Sequence, residues 1–257
     1  MRKIRVVGIG AGNPEHITVQ AINALNSADV LFLPRKGEDK AELADLRREI
    51  IARYLTDPRS RTVEFDLPVR DAGHPSYTGG VGDWYRETAA LYAELFAGRL
   101  GEGGVGALLV WGDPSLYDGT LRILDLVRAT GLAFDIEVIP GISSLHALTA
   151  AHATTLNRVA EPVTVTTGRR LSERPPEGDV VVMVDGRLAF RSVDGEAYDI
   201  FWGAYLGTVD EILVSGRLAD VAARIETVRA EARARHGWIM DIYLLRRRTG
   251  PAVDGET

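Results

Sequence analysis

Three stretches combine glycine, proline and polar side chains in ways that can do chemistry. Gly8-Ile9-Gly10-Ala11-Gly12-Asn13-Pro14 follows an apolar run, so missing side chains let backbone N–H groups approach a ligand closely. A dinucleotide fingerprint needs its third glycine where Asn13 stands and an acid closing the second strand, whereas Asp29 opens that strand, so a nicotinamide cofactor is disfavoured. A plain tight turn explains the same residues equally well. Trp111-Gly112-Asp113-Pro114-Ser115-Leu116-Tyr117 follows a wholly apolar run, which puts it at the C-terminal end of a strand, where open α/β sheets bind ligands. Asp113 can accept hydrogen bonds from an amine or hydroxyl, although Gly-Asp-Pro is also a common turn tripeptide. In Ile139-Pro140-Gly141-Ile142-Ser143-Ser144, two hydroxyls and the N–H groups of a helix start can hold a polar ligand, and Ser143 can equally be a simple N-cap.

Other chemistry is narrowed by what the chain lacks. It has no cysteine, which removes disulfides, thiolate catalysis and cysteine-ligated metals. His16, His74, His146, His152 and His236 lack metal-ligand spacing, and no metal site is expected. Neither a Gly-x-Ser-x-Gly elbow nor a Walker lysine loop is present. Arg169 and Arg170, after Thr166-Thr167-Gly168, can grip carboxylates, or be a solvated pair. For Tyr205-Leu206-Gly207-Thr208-Val209-Asp210-Glu211 a structural turn suffices. Group transfer or simple binding remains.

The elements that must position these residues read as an α/β alternation. Strands are expected at 4–9, 29–33, 62–67, 105–111 and 134–139, with helices carrying Ile22 and Leu25, then Leu43, Leu46, Ile50 and Tyr54, then 83–99 and 119–130. Such alternation implies a parallel sheet. Pro140-Gly141 marks a boundary, giving domains 1–139 and 140–257. Past it the rhythm restarts, with a helix from Ser143 to about Ala153, strands at 162–167, 179–184 and 199–205, a helix carrying Val221, Ile225 and Val228, and a last strand at 238–245.

With 257 residues, of which 46% are hydrophobic, either half can bury a core. A net charge of −6 argues against nonspecific nucleic-acid binding. The opening residues form no signal-peptide pattern and no stretch reaches the ~20 apolar residues of a membrane span, so a cytoplasmic protein with a small-molecule substrate and no membrane or nucleic-acid partner is expected.

Taken in order, Gly8-x-Gly10-x-Gly12-Asn13-Pro14, Gly112-Asp113-Pro114, Pro140-Gly141-Ile142-Ser143-Ser144, Thr167-Gly168 and Gly207-Thr208 resemble the tetrapyrrole methylase family over nearly the whole chain. The resemblance implies two α/β domains with S-adenosylmethionine in the cleft between them, leaving as S-adenosylhomocysteine, and a homodimer. Carried over by motif, Gly10, Ala11, Trp111, Gly112, Asp113, Leu116, Tyr117, Ser143, Ser144, Asp185, Gly186, Gly203, Ala204, Trp238 and Ile239 would surround the donor. Two departures stand out: Ala11 replaces a proline common in the first loop, and Val184-Asp185-Gly186 matches a family Tyr-Met-Gly, putting a carboxylate where a methionine is common. Asp66 to Asp71 with Trp84-Tyr85, Trp111 to Asp118 and Tyr205 to Leu213 are similar to members that methylate a ring carbon of a corrin precursor and release an acyl group as acetate. Methyl transfer needs alignment rather than a protein nucleophile. Loss of the acyl group needs water and a base, for which Asp185, Asp113, Tyr117 and His16 are candidates, Asp185 being open to a purely structural reading. Arg169, Arg170, Arg35 and Arg70 are the candidates for the acidic arms of a tetrapyrrole substrate. Methylation at another ring position and a non-catalytic binding protein are the competing readings.

Overall fold

The computed structural model describes residues 1–35, 41–56, 61–71 and 73–248. It divides into two compact units, Met1–Ser143 and Ser144–Thr257. Among the described residues, no helix is long and apolar enough to cross a membrane.

The first unit is a five-stranded sheet of β1 (Arg2–Gly8), β2 (Val30–Arg35), β3 (Arg61–Asp66), β4 (Val105–Val110) and β5 (Phe134–Ile139), in the order β3-β2-β4-β1-β5. Every pairing is parallel, as the alternation with helices predicts. Successive side chains of a strand point to opposite faces, and both faces are apolar. Ile4, Val6, Val30, Phe32, Leu108 and Val110 face α3 (Tyr77–Arg99) and α4 (Thr120–Ala129), while Val7, Ile9, Leu31, Leu33, Ala107 and Leu109 face α1 (Val19–Asn26) and α2 (Ala41–Tyr54). A sheet buried on both sides reads as continuous apolar runs, which is why these strands were legible.

Helix starts follow local capping. Thr18 Oγ1 accepts from Ala21 N (3.1 Å) and begins α1. Ser76 Oγ accepts from Gly79 N (3.1 Å) and begins α3 six residues before the expected Asp83. Three glycines, Gly79, Gly80 and Gly82, hide that first turn from a propensity reading. The structure explains two of them. A Cβ on Gly79 would lie 2.6 Å from His74 Cε1, and one on Gly80 would lie 2.9 Å from His74 Cβ. In the helical stripe expected over residues 43–54, Leu46 and Ile50 are buried, and the side chain of Leu43 lies outside the described residues.

The second unit holds α5 (Ser144–Ala151), β6 (Val163–Thr167), α6 (Gly168–Glu173), β7 (Asp179–Met183), β8 (Tyr198–Ala204), β9 (Ile212–Arg217), α7 (Leu218–His236) and β10 (Asp241–Arg247). Its sheet runs β6-β7-β10-β8-β9. Only β6 and β7 pair in parallel; β10 runs antiparallel to β7 and β8, and β8 antiparallel to β9. The first unit's rhythm therefore does not simply restart. Strand β9 went unread because it lies at the sheet edge and buries only Val214, so it lacks an apolar run. The core of this unit is built on Trp202, Tyr243 and Phe190, all nearly inaccessible, and burial of side chains this large contributes about 1.5–3 kcal/mol each.

Candidate functional site

In the first unit, β1 and β4 are neighbours, yet the chain leaves β1 toward α1 on one face and leaves β4 toward α4 on the other. Loops that depart to opposite faces of a parallel sheet open a crevice at the strands' C-terminal ends, the place where open α/β folds bind ligands. The Gly8–Pro14 and Trp111–Tyr117 loops border that crevice, with the Pro140–Ser143 loop on the far side of β1.

The three loops are tied together through their backbones. Gly112 N donates to Gly10 O (2.8 Å) and Gly10 N to Gly112 O (3.3 Å), a short antiparallel bridge above the parallel strands. A Cβ on Gly8 would lie 2.7 Å from Gly141 N and 2.8 Å from Gly112 O, and a Cβ on Gly141 would run into that same oxygen. Gly8, Gly112 and Gly141 therefore form one close three-way main-chain contact. Asp113 fastens it. Its Oδ2 accepts from Gly141 N (2.9 Å), and its Oδ1 accepts from Ser115 N (2.8 Å) and the Ser115 hydroxyl. Oδ2 thus joins the β4 loop to the β5 loop, while Oδ1 braces the β4 loop itself.

Around this knot the expected residues differ in availability. Gly10 (φ +88°) is buried against His16, whose Cβ lies 2.5 Å from where a Cβ on Gly10 would be. Ala11 is buried. Gly112 (φ +67°) is buried, and a Cβ added there would make only ordinary contact with Ser143 Cα at 3.8 Å, so its left-handed backbone rather than crowding calls for the glycine. Trp111 and Leu116 are half-buried, Ser143 is buried, and Ser144 is the half-buried first residue of α5. Tyr117 is 49% exposed with φ +50°, a left-handed conformation that ordinary residues avoid and that clusters at functional loops. Partial burial pushes its hydroxyl upward from the usual tyrosine range.

The second unit supplies Asp185, and its surroundings are structural. Oδ1 accepts from Arg187 N (2.9 Å); Oδ2 accepts from Ala189 N (2.6 Å) and the Tyr243 hydroxyl (2.8 Å). Burial and the neighbouring Asp185 push the Tyr243 hydroxyl well above its ordinary range, so it stays a donor. Arg229 Nη2 donates to the Asp185 carbonyl (2.8 Å), and its Nε to Asp241 Oδ2 (2.8 Å), which also accepts from Trp202 Nε1 (3.1 Å). Burial pushes the Asp241 carboxyl up, against the pull of Arg229. This network clamps a loop whose ends, Val184 (φ +54°) and Leu188 (φ +59°), are both left-handed, with Val184 65% exposed. Gly168 is pressed against the Asp185 carboxylate, where a Cβ would run into Oδ1. A carboxylate so occupied is an anchor, the alternative that the sequence left open for it.

Of the remaining expectations, Gly186 is exposed beside Asp185. Gly203 and Ala204 are buried in β8, and a Cβ on Gly203 would lie 2.6 Å from Leu206 Cδ2, so a larger residue there would have to displace the Leu206 side chain. Trp238 and Ile239 pack against the second core, and the Trp238 carbonyl accepts from the Tyr205 hydroxyl (2.6 Å). Arg35 holds Asp66 in a two-pronged pair (2.9 and 2.6 Å), Arg170 pairs with Glu173 (2.8 Å), and Arg70 and Arg169 are exposed. The sequence reading missed Arg229, Asp241, Tyr243 and a further buried cation, Arg47. A signal existed for Arg229: it lies four residues after Ile225 and three before Ala232, on the buried face of α7.

Set beside known proteins, the chain belongs to the tetrapyrrole (corrin/porphyrin) methylases, whose family model matches residues 3–222. It is 59% identical over 250 residues to the precorrin-6A synthase (deacetylating) of a Sinorhizobium species, covering 96% of each chain. Among solved structures, a cobalamin synthesis related protein (CobF) from Corynebacterium diphtheriae matches with a TM-score of 0.82 at 38% identity, over 96% of this chain and 98% of that one. Uroporphyrin-III C-methyl transferase from Thermus thermophilus, complexed with S-adenyl homocysteine, shares the fold at a TM-score of 0.59 and 18% identity, over 95% and 92% of the two chains.

Two outcomes follow from the geometry. Gly141→Ala, which drives a methyl into main chain, is expected to cost about 3 kcal/mol or more, measured by urea unfolding; a cost within ~0.5 kcal/mol would mean that the knot has slack. Asp185→Ala leaves Arg187 N, Ala189 N and the Tyr243 hydroxyl without their acceptor and is expected to cost about 3 kcal/mol or more. Full stability combined with lost acetate release would make Asp185 a base instead.

Proposed function

We propose that this chain is an S-adenosylmethionine-dependent methyltransferase that methylates ring carbon 1 of precorrin-5 and releases the acyl group as acetate, giving precorrin-6A in cobalamin biosynthesis. The observation that carries this reading is the 59% identity, across 96% of both chains, to a precorrin-6A synthase (deacetylating). A crevice at the β1/β4 switch point supports it. A homodimer in the cytoplasm belongs to the same reading.

The residues present suit the donor. Gly112 takes a left-handed backbone at the end of β4 and carries no side chain, so a ligand in the crevice can approach the main chain there closely. Gly10 and Ala11 lie against this backbone, Trp111, Leu116 and Tyr117 offer apolar surface for an adenosyl group, and the Ser143 and Ser144 hydroxyls suit the amino-acid end. By motif, Gly186, Gly203, Ala204, Trp238 and Ile239 of the second unit are further candidates for the donor, and Asp113 and Asp185 contribute by holding their own loops. When bound, S-adenosylmethionine supplies a methyl group on a sulfonium that leaves without help, so the protein's task is to align donor and acceptor and exclude water.

The second half of the reaction asks more of the protein. Water adds its oxygen to the acyl carbonyl carbon, the bond to the ring breaks, its electron pair returns to the ring, and a base takes the water's proton. Asp113 and Asp185 spend both oxygens on the fold, so we assign this chemistry to His16, packed against Gly10, as base and to Tyr117 as proton-bearing partner. A hydroxyl pushed upward keeps its proton at neutral pH and serves as hydrogen-bond donor to the acyl oxygen. The acidic arms of the substrate call for arginines. Exposed pairs such as Arg35 with Asp66 and Arg170 with Glu173 are worth only about 0–1 kcal/mol, so a substrate carboxylate can displace the resident partner; Arg169 and Arg70 join them.

Incubation of the purified protein with S-adenosylmethionine and enzymatically prepared precorrin-5, followed by mass spectrometry, is expected to give one added methyl and one equivalent of acetate. Methylation without acetate would move the reaction to another ring position, and donor binding without methylation would make the chain a binding protein. Tyr117→Phe is expected to slow acetate release ~100-fold while leaving affinity for S-adenosylhomocysteine nearly unchanged; an unaltered rate would remove Tyr117 from the chemistry.

A further inference from the structure

Strands β2 and β4 separate before they end. Their ladder pairs Val30–Phe32 with Gly106–Leu108 and stops there, although β4 pairs with β1 as far as Val110 and β2 pairs with β3 as far as Asp66. The sheet is therefore split at its C-terminal edge, beside the strand that carries the Trp111–Tyr117 loop. A shallow pocket lined by Leu33, Pro34, Arg35, Arg47, Arg48 and Glu64 lies at this edge.

Arg47 of α2 reaches into the split. It is 6% exposed, and its Nε donates to the Leu109 carbonyl (3.2 Å), one residue past the last rung of the ladder. Tyr92, on α3 across the sheet, and Asp118, at the far end of the β4 loop, both act on the guanidinium electrostatically and favour its charged form, against burial, which pushes it down. Asp118 in turn accepts from Thr120 N (2.7 Å), the first residue of α4. One buried cation therefore touches the strand before the loop and is coupled to the acid that closes it. Burying a guanidinium is costly, and well-packed apolar residues commonly fill such space with equal or better stability. A planar, always charged fork is what the position gains over an apolar filler.

We infer that Arg47 is a positioning residue: from the split between β2 and β4 it holds the Trp111–Asp118 loop in the conformation that receives the methyl donor. The inference rests on the function proposed above and adds to it a residue that does not touch the donor. Asp113 and the glycine bridge fix the near end of the loop, Asp118 ties its far end to Thr120 N, and Arg47 holds the strand at its base through the Leu109 carbonyl.

The test measures S-adenosylhomocysteine binding by calorimetry and melting temperature for the wild type, Arg47→Met, Arg47→Lys, Asp118→Asn and, as a control for stability alone, Leu124→Ala. Leu124 is fully buried on α4. Arg47→Met is expected to weaken binding ~30-fold, and Arg47→Lys, which keeps the charge without the fork, ~5-fold. Asp118→Asn keeps an oxygen for Thr120 N and is expected to weaken binding ~3-fold. Leu124→Ala should lower the melting temperature with affinity unchanged. If Arg47→Met does not fold, Arg47→Lys and Asp118→Asn decide. Affinities within twofold of wild type for those two would overturn the inference, as would an equal loss of affinity in Leu124→Ala. A wild type that binds no S-adenosylhomocysteine would instead bring down the proposed function, and the inference with it.

Discussion

Three main chains meet where Gly8, Gly112 and Gly141 come together, with no room for a side-chain carbon at Gly8 or Gly141, and the organisation of the first unit's candidate site depends on that contact. Parallel strands about 4.8 Å apart normally diverge into separate loops. Here the loops after β4, β1 and β5 are instead drawn into one backbone knot, closed by the Gly10–Gly112 bridge and the Asp113–Gly141 hydrogen bond. The knot fixes where the crevice lies and which groups border it. Gly112 is held by its bridge to Gly10 and its contact with Gly141, and Tyr117 takes a left-handed backbone in the turn that Asp113 pins through Ser115 N.

The second unit solves a similar problem with charge. A buried carboxylate, Asp185, takes two backbone N–H groups and a tyrosine hydroxyl, and a buried Arg229–Asp241 pair holds the same loop from its carbonyl side. Such networks are costly to desolvate and stabilise only when every member is satisfied. Its product is a rigid loop that presents an exposed Val184 in a conformation a β-branched residue adopts only under constraint. The two acids that stand out most in the motifs, Asp113 and Asp185, thus fasten their loops through both carboxylate oxygens.

The sequence made the first unit legible because its strands are buried on both faces and its loops carry unusual residues in a fixed order. It made the second unit less so, since β9 contributes one buried side chain and antiparallel pairing leaves no mark as strong as the strand–helix alternation. Gly79 and Gly80 concealed the first turn of α3 because their reason, close packing on His74, is a tertiary one. Arg47 and Arg229 escaped notice for a related reason: a charged residue on an apolar helix face reads as noise until its partner across the fold is known. Motif order singled out the loops that meet in the backbone knot, but it could not distinguish an aspartate that binds a ligand from one that ties two backbones together.

A crystal structure of the protein with S-adenosylhomocysteine tests the central claim most directly. The ligand is expected against the Gly112 backbone, flanked by Trp111 and Tyr117, with the Gly8–Gly112–Gly141 contact and the Asp113–Gly141 hydrogen bond intact. Ligand bound away from the β1 and β4 loops, or a knot that opens to admit it, would contradict a site organised by that contact.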